Sequence, residues 1–147
     1  MQNVINSAQD KQNDTVPLYS LALSYPESCM NIQKFSQITE ISSHTIRYYE
    51  KIGLLKNISR NASGHRWFSE KDIIWIEFIK RLKDTGMPLN NILKYADLRD
   101  EGESTSQLRM NILQEHAIKL EEKIAQEQCH LKKLKDKIAH YKKTLEV

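Results

Sequence analysis

The spacing of apolar positions changes several times along this chain, and each change predicts a different element. Ile32, Phe35 and Ile38 recur every three residues with polar side chains between them, which predicts a short helix from about Met30 to near Thr39. Ser42 is a good N-cap and Gly53 a good stop, so a second helix is expected over roughly Ser43 to Ile52. Two short helices with a tight connection make a helix-turn-helix outline, with Ile41, Ile46 and Leu54 as its internal apolar contacts. That places Ser43, His44, Arg47 and Lys51 on the solvent side of the second helix.

Beyond it, Asn61 to Gly64 is turn chemistry between the strand-like arms Ile58–Arg60 and His65–Phe68, which predicts a β-hairpin. The run Ser69-Glu70-Lys71-Asp72 reads as a capping box opening a helix that reaches about Thr85. Gly86 and Pro88 separate it from another helix ending near Arg99, and Gly102 breaks the chain again. Ser104 with Gln107 then forms a second expected capping box.

The last stretch is the most regular. Leu113, Ala117, Leu120, Ile124, Glu127, Leu131, Leu134, Ile138, Tyr141 and Leu145 alternate steps of four and three without a slip, a heptad seam interrupted only by the charge of Glu127. Lys, Glu and Gln dominate the positions between. A lone helix with so narrow a stripe has little to bury it against, so dimerisation through this seam is expected.

Charge adds a direction to the pattern. The 147 residues carry a formal charge of +3. Residues 1–29 hold one cation and three anions, residues 30–69 six cations and two anions, and residues 70–147 fifteen cations and fourteen anions. The helix-turn-helix and hairpin thus carry a local excess of +4, the place to expect a polyanion. Residues 1–29 show no sustained periodicity and are read as a disordered or non-native extension; the Leu18–Leu23 patch lacks the basic flank of a signal peptide.

Composition narrows the alternatives. Few Gly and Pro disfavour an all-β protein, and the length excludes a TIM barrel. Cys29 and Cys129 are too few for a disulfide framework, no stretch approaches ~18 apolar residues, and a cytoplasmic protein is expected with no membrane partner. There is no Gly-rich phosphate loop, Ser-His-Asp ordering or paired-carboxylate pattern, so nothing points to an enzyme. Cys129 and His130 are adjacent on a helix, about 100° apart, and cannot hold one ion together; no metal site and no cofactor are expected.

The run Ser42-Ser43-His44-Thr45-Ile46-Arg47-Tyr48-Tyr49-Glu50-Lys51-Ile52-Gly53-Leu54-Leu55, followed by Arg60, Gly64, Arg66 and Phe68, resembles the MerR family of bacterial transcription regulators. The resemblance continues through Asp72, Leu82, Thr85-Gly86-Met87 and Leu89 into the terminal helix, covering residues 30–147. It implies a mainly α fold: a winged helix-turn-helix DNA-binding head with two linking helices over 30–99, then a long C-terminal dimerisation helix over 104–147, antiparallel in the dimer. It also implies a homodimer that binds promoter DNA, bends and untwists the spacer, and serves RNA polymerase there.

Short polar Ser43 and His44 suit base edges in the major groove. Arg47, Tyr48 and Lys51, with Thr45 beside them, suit phosphates, and Tyr49 is expected to be partly buried. Arg60 and Arg66 would let the wing grip the backbone or minor groove; His65 stands where the family commonly has Tyr. Within the family, Tyr95-Ala96-Asp97-Leu98-Arg99, Gly102, Thr105 and Arg109 are closest to a thiol- and aldehyde-responsive subgroup. That subgroup's helix Cys is replaced by Arg81, and the Cys of metal sensors at the start of the long helix by Ser104-Thr105-Ser106-Gln107.

Trp75, Phe78, Tyr95 and His116 are read as core, with a small-molecule effector pocket as the alternative. A rival for the whole chain is a coiled-coil architectural or accessory protein whose basic head binds DNA without sequence-specific regulation.

Overall fold

In the computed structural model the described residues are 29–146, so the expectations for residues 1–28 lie outside them. Helices α1 (Ile32–Thr39) and α2 (Ser43–Ile52) are followed by strands β1 (Ser59–Arg60) and β2 (Arg66–Trp67). Then come α3 (Glu70–Asp84), α4 (Leu89–Glu101), a 3-10 turn (Glu103–Thr105) and α5 (Ser106–Leu145). The expected mainly helical architecture with a winged head is the one observed.

Local chemistry explains most boundaries. Asn31 caps α1 by accepting from the Lys34 N–H at 2.9 Å, and Ser42 caps α2 by accepting from the Thr45 N–H at 3.1 Å. The turn between them is pinned by the Ser36 hydroxyl, which donates to the Ile41 carbonyl at 2.6 Å. Gly53 ends α2 with φ 87°, a left-handed conformation that a side chain would strain. At the start of α3 the Asp72 carboxylate accepts from the Ser69 N–H at 2.8 Å.

The second expected capping box does not form. Ser104 lies inside the 3-10 turn, α5 starts at Ser106, and the Gln107 side chain donates forward to Asn111 at 2.9 Å. The cause is Thr105, which is buried and must satisfy its hydroxyl; it donates to the carbonyls of Gly102, at 2.7 Å, and Leu98 near the end of α4. The chain tightens there before α5 can begin.

The core sits where α1, α2 and α3 meet beneath the hairpin. Phe35 and Phe68 are fully buried and stack with ring centroids 4.2 Å apart. Met30 pairs with Phe68 through both backbone hydrogen bonds, 2.8 and 2.7 Å, fastening the chain before α1 to the end of the wing. Ile46, Leu54, Leu55, Ile73, Ile76, Ile79 and Ile92 complete the buried centre. Lys80 donates to the Thr39 carbonyl at 2.8 Å, placing a cation at the negative end of α1.

Helix α5 behaves differently. Ile112 and Leu113 pack against the head, and the His116 ring meets the Thr85 hydroxyl at 2.8 Å. The Thr85 hydroxyl also lies 2.8 Å from the Leu82 carbonyl, to which it can donate. Leu113, expected on the dimer seam, is therefore half-buried in its own head, because the seam and the head-facing side of α5 coincide in the first turns. Every residue from Glu121 to Glu146 is exposed. Leu120, Ile124 and Leu131 form one wall of an open cleft of about 370 Å³, with Asp84 to Gly86 opposite.

Truncating either stacked ring tests this core. Phe35→Ala or Phe68→Ala should lower stability by about 3–5 kcal/mol, read from the denaturant midpoint at constant slope.

Candidate nucleic-acid interface

The Ser42 cap fixes where α2 begins and therefore which side chains it offers to solvent. At about 100° per residue, Ser43, Arg47, Lys51, His44 and Tyr48 fan over one arc of roughly 140°. Ile46 and Tyr49 occupy the opposite side and are buried. Tyr49 is anchored by its hydroxyl, which accepts from Lys83 Nζ at 2.7 Å, so the burial expected for it is observed. His44, Arg47, Tyr48 and Lys51 are exposed, and Ser43 is half-buried. Arg47 and Lys51 make no ion pair with any of the described residues. Thr45 stands apart: its hydroxyl lies 2.9 Å from that of Ser42 and belongs to the cap.

The wing is a short antiparallel hairpin with Ser59 opposite Trp67 and Arg60 opposite Arg66. Asn61 organises its turn. Its side-chain oxygen accepts from the N–H groups of Ser63 at 3.1 Å and His65 at 2.9 Å, and its own N–H donates to the His65 carbonyl at 2.9 Å. Gly64 supplies the positive φ of 78° that closes the turn, and His65 beside it is exposed.

Cross-strand pairing puts Arg60 and Arg66 on one face of the hairpin, and both turn back to Glu50 of α2. Arg66 Nε donates directly to the Glu50 carboxylate. Arg60 Nη2 lies 3.7 Å from the other carboxylate oxygen, while Arg60 Nη1 donates to the Gly64 carbonyl at 3.0 Å. The Arg66 and Glu50 side chains are 29% and 25% exposed against 50% for Arg60, so Arg66 is the deeper of the two.

The head assembled here can therefore be compared with known proteins. Residues 30–98 match the family described as MerR HTH family regulatory protein, and residues 74–141 match MerR, DNA binding. The chain belongs to the MerR family. An uncharacterised HTH-type transcriptional regulator of Haemophilus influenzae is 35% identical over 103 residues, 70% of this chain and 76% of that protein. The crystal structure of HiNmlR, a MerR family regulator lacking the sensor domain and bound to promoter DNA, aligns with a TM-score of 0.69 at 31% identity. That alignment covers 81% of this chain and 94% of HiNmlR. A MerR family regulator from Bacillus thuringiensis aligns with a TM-score of 0.64 at 32% identity, over 76% of this chain and 97% of that one.

This MerR-family chain is thus a DNA-binding transcription regulator, with α1 and α2 as the helix-turn-helix and the hairpin as the wing. Other candidate chemistry is less concentrated. Cys29 and Cys129 are both exposed, and the described residues contain no group of three or more His, Cys, Asp or Glu placed to hold a metal ion.

Trp75, Phe78 and Tyr95 do converge, with centroids 5.3 to 6.1 Å apart, but as packed core. The Trp75 indole donates to the Leu54 carbonyl at 2.7 Å, and the Arg99 guanidinium covers its ring at 4.3 Å. His116 is engaged with Thr85 instead.

Glu50 is the participant that sequence reasoning passed over. A signal existed: a carboxylate in the last turn of a helix opposes the helix dipole and calls for a nearby cation. The sequence left open which cation answers, because the partners lie 10 and 16 residues away on the hairpin.

The Asn61 turn carries its own test. Asn61→Ala should speed amide hydrogen exchange at Ser63 and His65 several-fold, equivalent to roughly 1 kcal/mol, while leaving core amides unchanged.

Proposed function

We propose that this MerR-family regulator works as a homodimer on double-stranded promoter DNA, each head presenting α2 to a major groove and its wing to the adjoining backbone. The observation that carries this is the exposed arc of α2, whose cations Arg47 and Lys51 find no partner among the described residues. Ser43 and His44, near the helix N-terminus, reach base edges. Arg47, Tyr48 and Lys51 hold phosphates, with Thr45 supporting them through the cap, and Arg60 and His65 extend the grip from the wing. The DNA-bound state of HiNmlR supports the choice of ligand.

The dimer forms along the seam of Leu113, Ala117, Leu120, Ile124, Leu131, Leu134, Ile138, Tyr141 and Leu145. Hydrophobic side chains there are 48–83% exposed from Ile124 onward, far more than a helix end of this regularity warrants unless a partner covers it. Charge supports an antiparallel arrangement. Residues 101–128 carry six acidic and three basic side chains, and residues 129–146 six basic and two acidic, so opposed helices bring unlike halves together.

A rigid dimer fixes the distance between its two reading heads. Bending and untwisting the DNA between the half-sites is then the deformation that contacts repay, and it changes how the promoter is presented to RNA polymerase. The open cleft between Asp84–Gly86 and α5 is where a small-molecule effector or the partner helix would bear on that geometry. DNA as target places the protein in the cytoplasm, and among the described residues no helix is long and apolar enough to cross a membrane.

Two substitutions test the assignment. Arg47→Ala should weaken binding to a duplex selected from a random pool by roughly 10- to 100-fold and reduce the salt slope by about one. Leu134→Lys should convert the protein to monomer in sedimentation and abolish high-affinity binding to two-half-site DNA. Equal affinity and equal salt slope of the wild type on selected and scrambled duplexes would instead favour the architectural reading, because counterion release is blind to sequence.

A further inference from the structure

Resting on that DNA-binding reading, we propose that Glu50 is a specificity-determining positioning residue whose carboxylate occupies, inside the protein, the place a DNA phosphate would take on the wing arginines. Arg66 stays on Glu50 when DNA binds and sets the wing against α2. Arg60 is the one released to the DNA backbone.

The asymmetry of the cluster supports this division. Arg66 makes a direct charge-assisted hydrogen bond through Nε, and both partners are about three-quarters buried. Arg60 is held only by a 3.7 Å ion pair and one backbone carbonyl, and half of its side chain is in solvent. A carboxylate presents two oxygens to a guanidinium much as a phosphate does, so the same donors fit either. Two cations against one anion also leave the cluster a net charge of about +1, enough to attract one phosphate but not two.

The consequence is discrimination. Glu50 is one turn beyond Arg47 on the reading helix, so the brace fixes the wing relative to the side chains that read bases. A duplex that fits α2 brings its backbone within reach of Arg60. A duplex that does not fit meets an arginine pair already answered by an internal anion, which lowers the sequence-blind component of binding. Without Glu50 both guanidiniums become available to any phosphate.

The test uses the full chain as wild type, Glu50→Gln, Arg60→Gln and Arg66→Gln, titrated on selected and scrambled duplexes at several salt concentrations, with thermal unfolding of each. Glu50→Gln should tighten scrambled-duplex binding several-fold and steepen its salt slope by about one, shrinking the preference for the selected duplex. Arg60→Gln should flatten the slope by about one. Arg66→Gln should weaken selected-duplex binding and also flatten the slope, because the freed Glu50 carboxylate then holds Arg60 in place of the DNA. An unflattened slope in Arg60→Gln, or unchanged scrambled binding in Glu50→Gln, overturns the proposal.

If these variants unfold, the wild-type side-chain Nε–Hε resonances decide. Arg66 should keep slow solvent exchange and its position on adding DNA while Arg60 shifts; an Arg66 resonance that exchanges freely, or moves with Arg60, overturns it. A wild type that does not distinguish the two duplexes defeats the regulator reading instead, and the resonances of the free protein then judge the brace alone.

Discussion

From Glu121 to Glu146 every residue is exposed, although Ile124, Leu131, Leu134, Ile138, Tyr141 and Leu145 keep a heptad register throughout. An isolated helix gains little from its own hydrogen bonds in water and draws most of its stability from an amphipathic face that is covered. That uncovered face is the constraint on which the rest of the molecule depends. The head supplies one anchor at Ile112 and Leu113, and the His116–Thr85 hydrogen bond orients the helix as it leaves. Everything beyond has its energetic justification outside one chain. In the proposed dimer the same helix that joins the protomers would also set the spacing of their reading heads.

The head is organised by a few bonds between elements far apart in sequence. Met30 with Phe68 joins the start of the chain to the wing, Trp75 with Leu54 joins α3 to the exit of α2, and Lys80 with Thr39 joins α3 to α1. Each buried polar group in these ties has its partner, as a small core requires. Glu50 works in the same way between α2 and the hairpin, with Arg66 about three-quarters buried against it and Arg60 half exposed. A structural tie and a reading surface therefore share the same side chains.

How much of this was legible in the sequence depends on the range of the interaction. The Ser42 cap, the Gly53 stop and the Asp72 contact with Ser69 all act within a few residues, and each was readable from residue type and spacing. Gln107 misled because it satisfied the same local pattern, while the buried Thr105 hydroxyl bonding back to Leu98 and Gly102 moved the start of α5. Leu113 has the period of the seam, and the fold adds a contact with its own head that the spacing alone does not show. Arg66 reads as a phosphate ligand from its place in the wing, and the fold adds a hydrogen bond to Glu50 that its spacing does not reveal.

The helical framework, the location of the positive head and the heptad spacing follow from periodicity, capping and charge, which are properties of neighbouring residues. The tertiary structure alone decided which cations remain available. Arg47 and Lys51 stay in solvent while Arg60 and Arg66 are drawn to a carboxylate that precedes them by 10 and 16 residues. A formal charge counts cations equally, but a guanidinium with an internal anion at hydrogen-bond distance releases little counterion when DNA approaches. That difference is a matter of distance in space, which no spacing along the chain encodes.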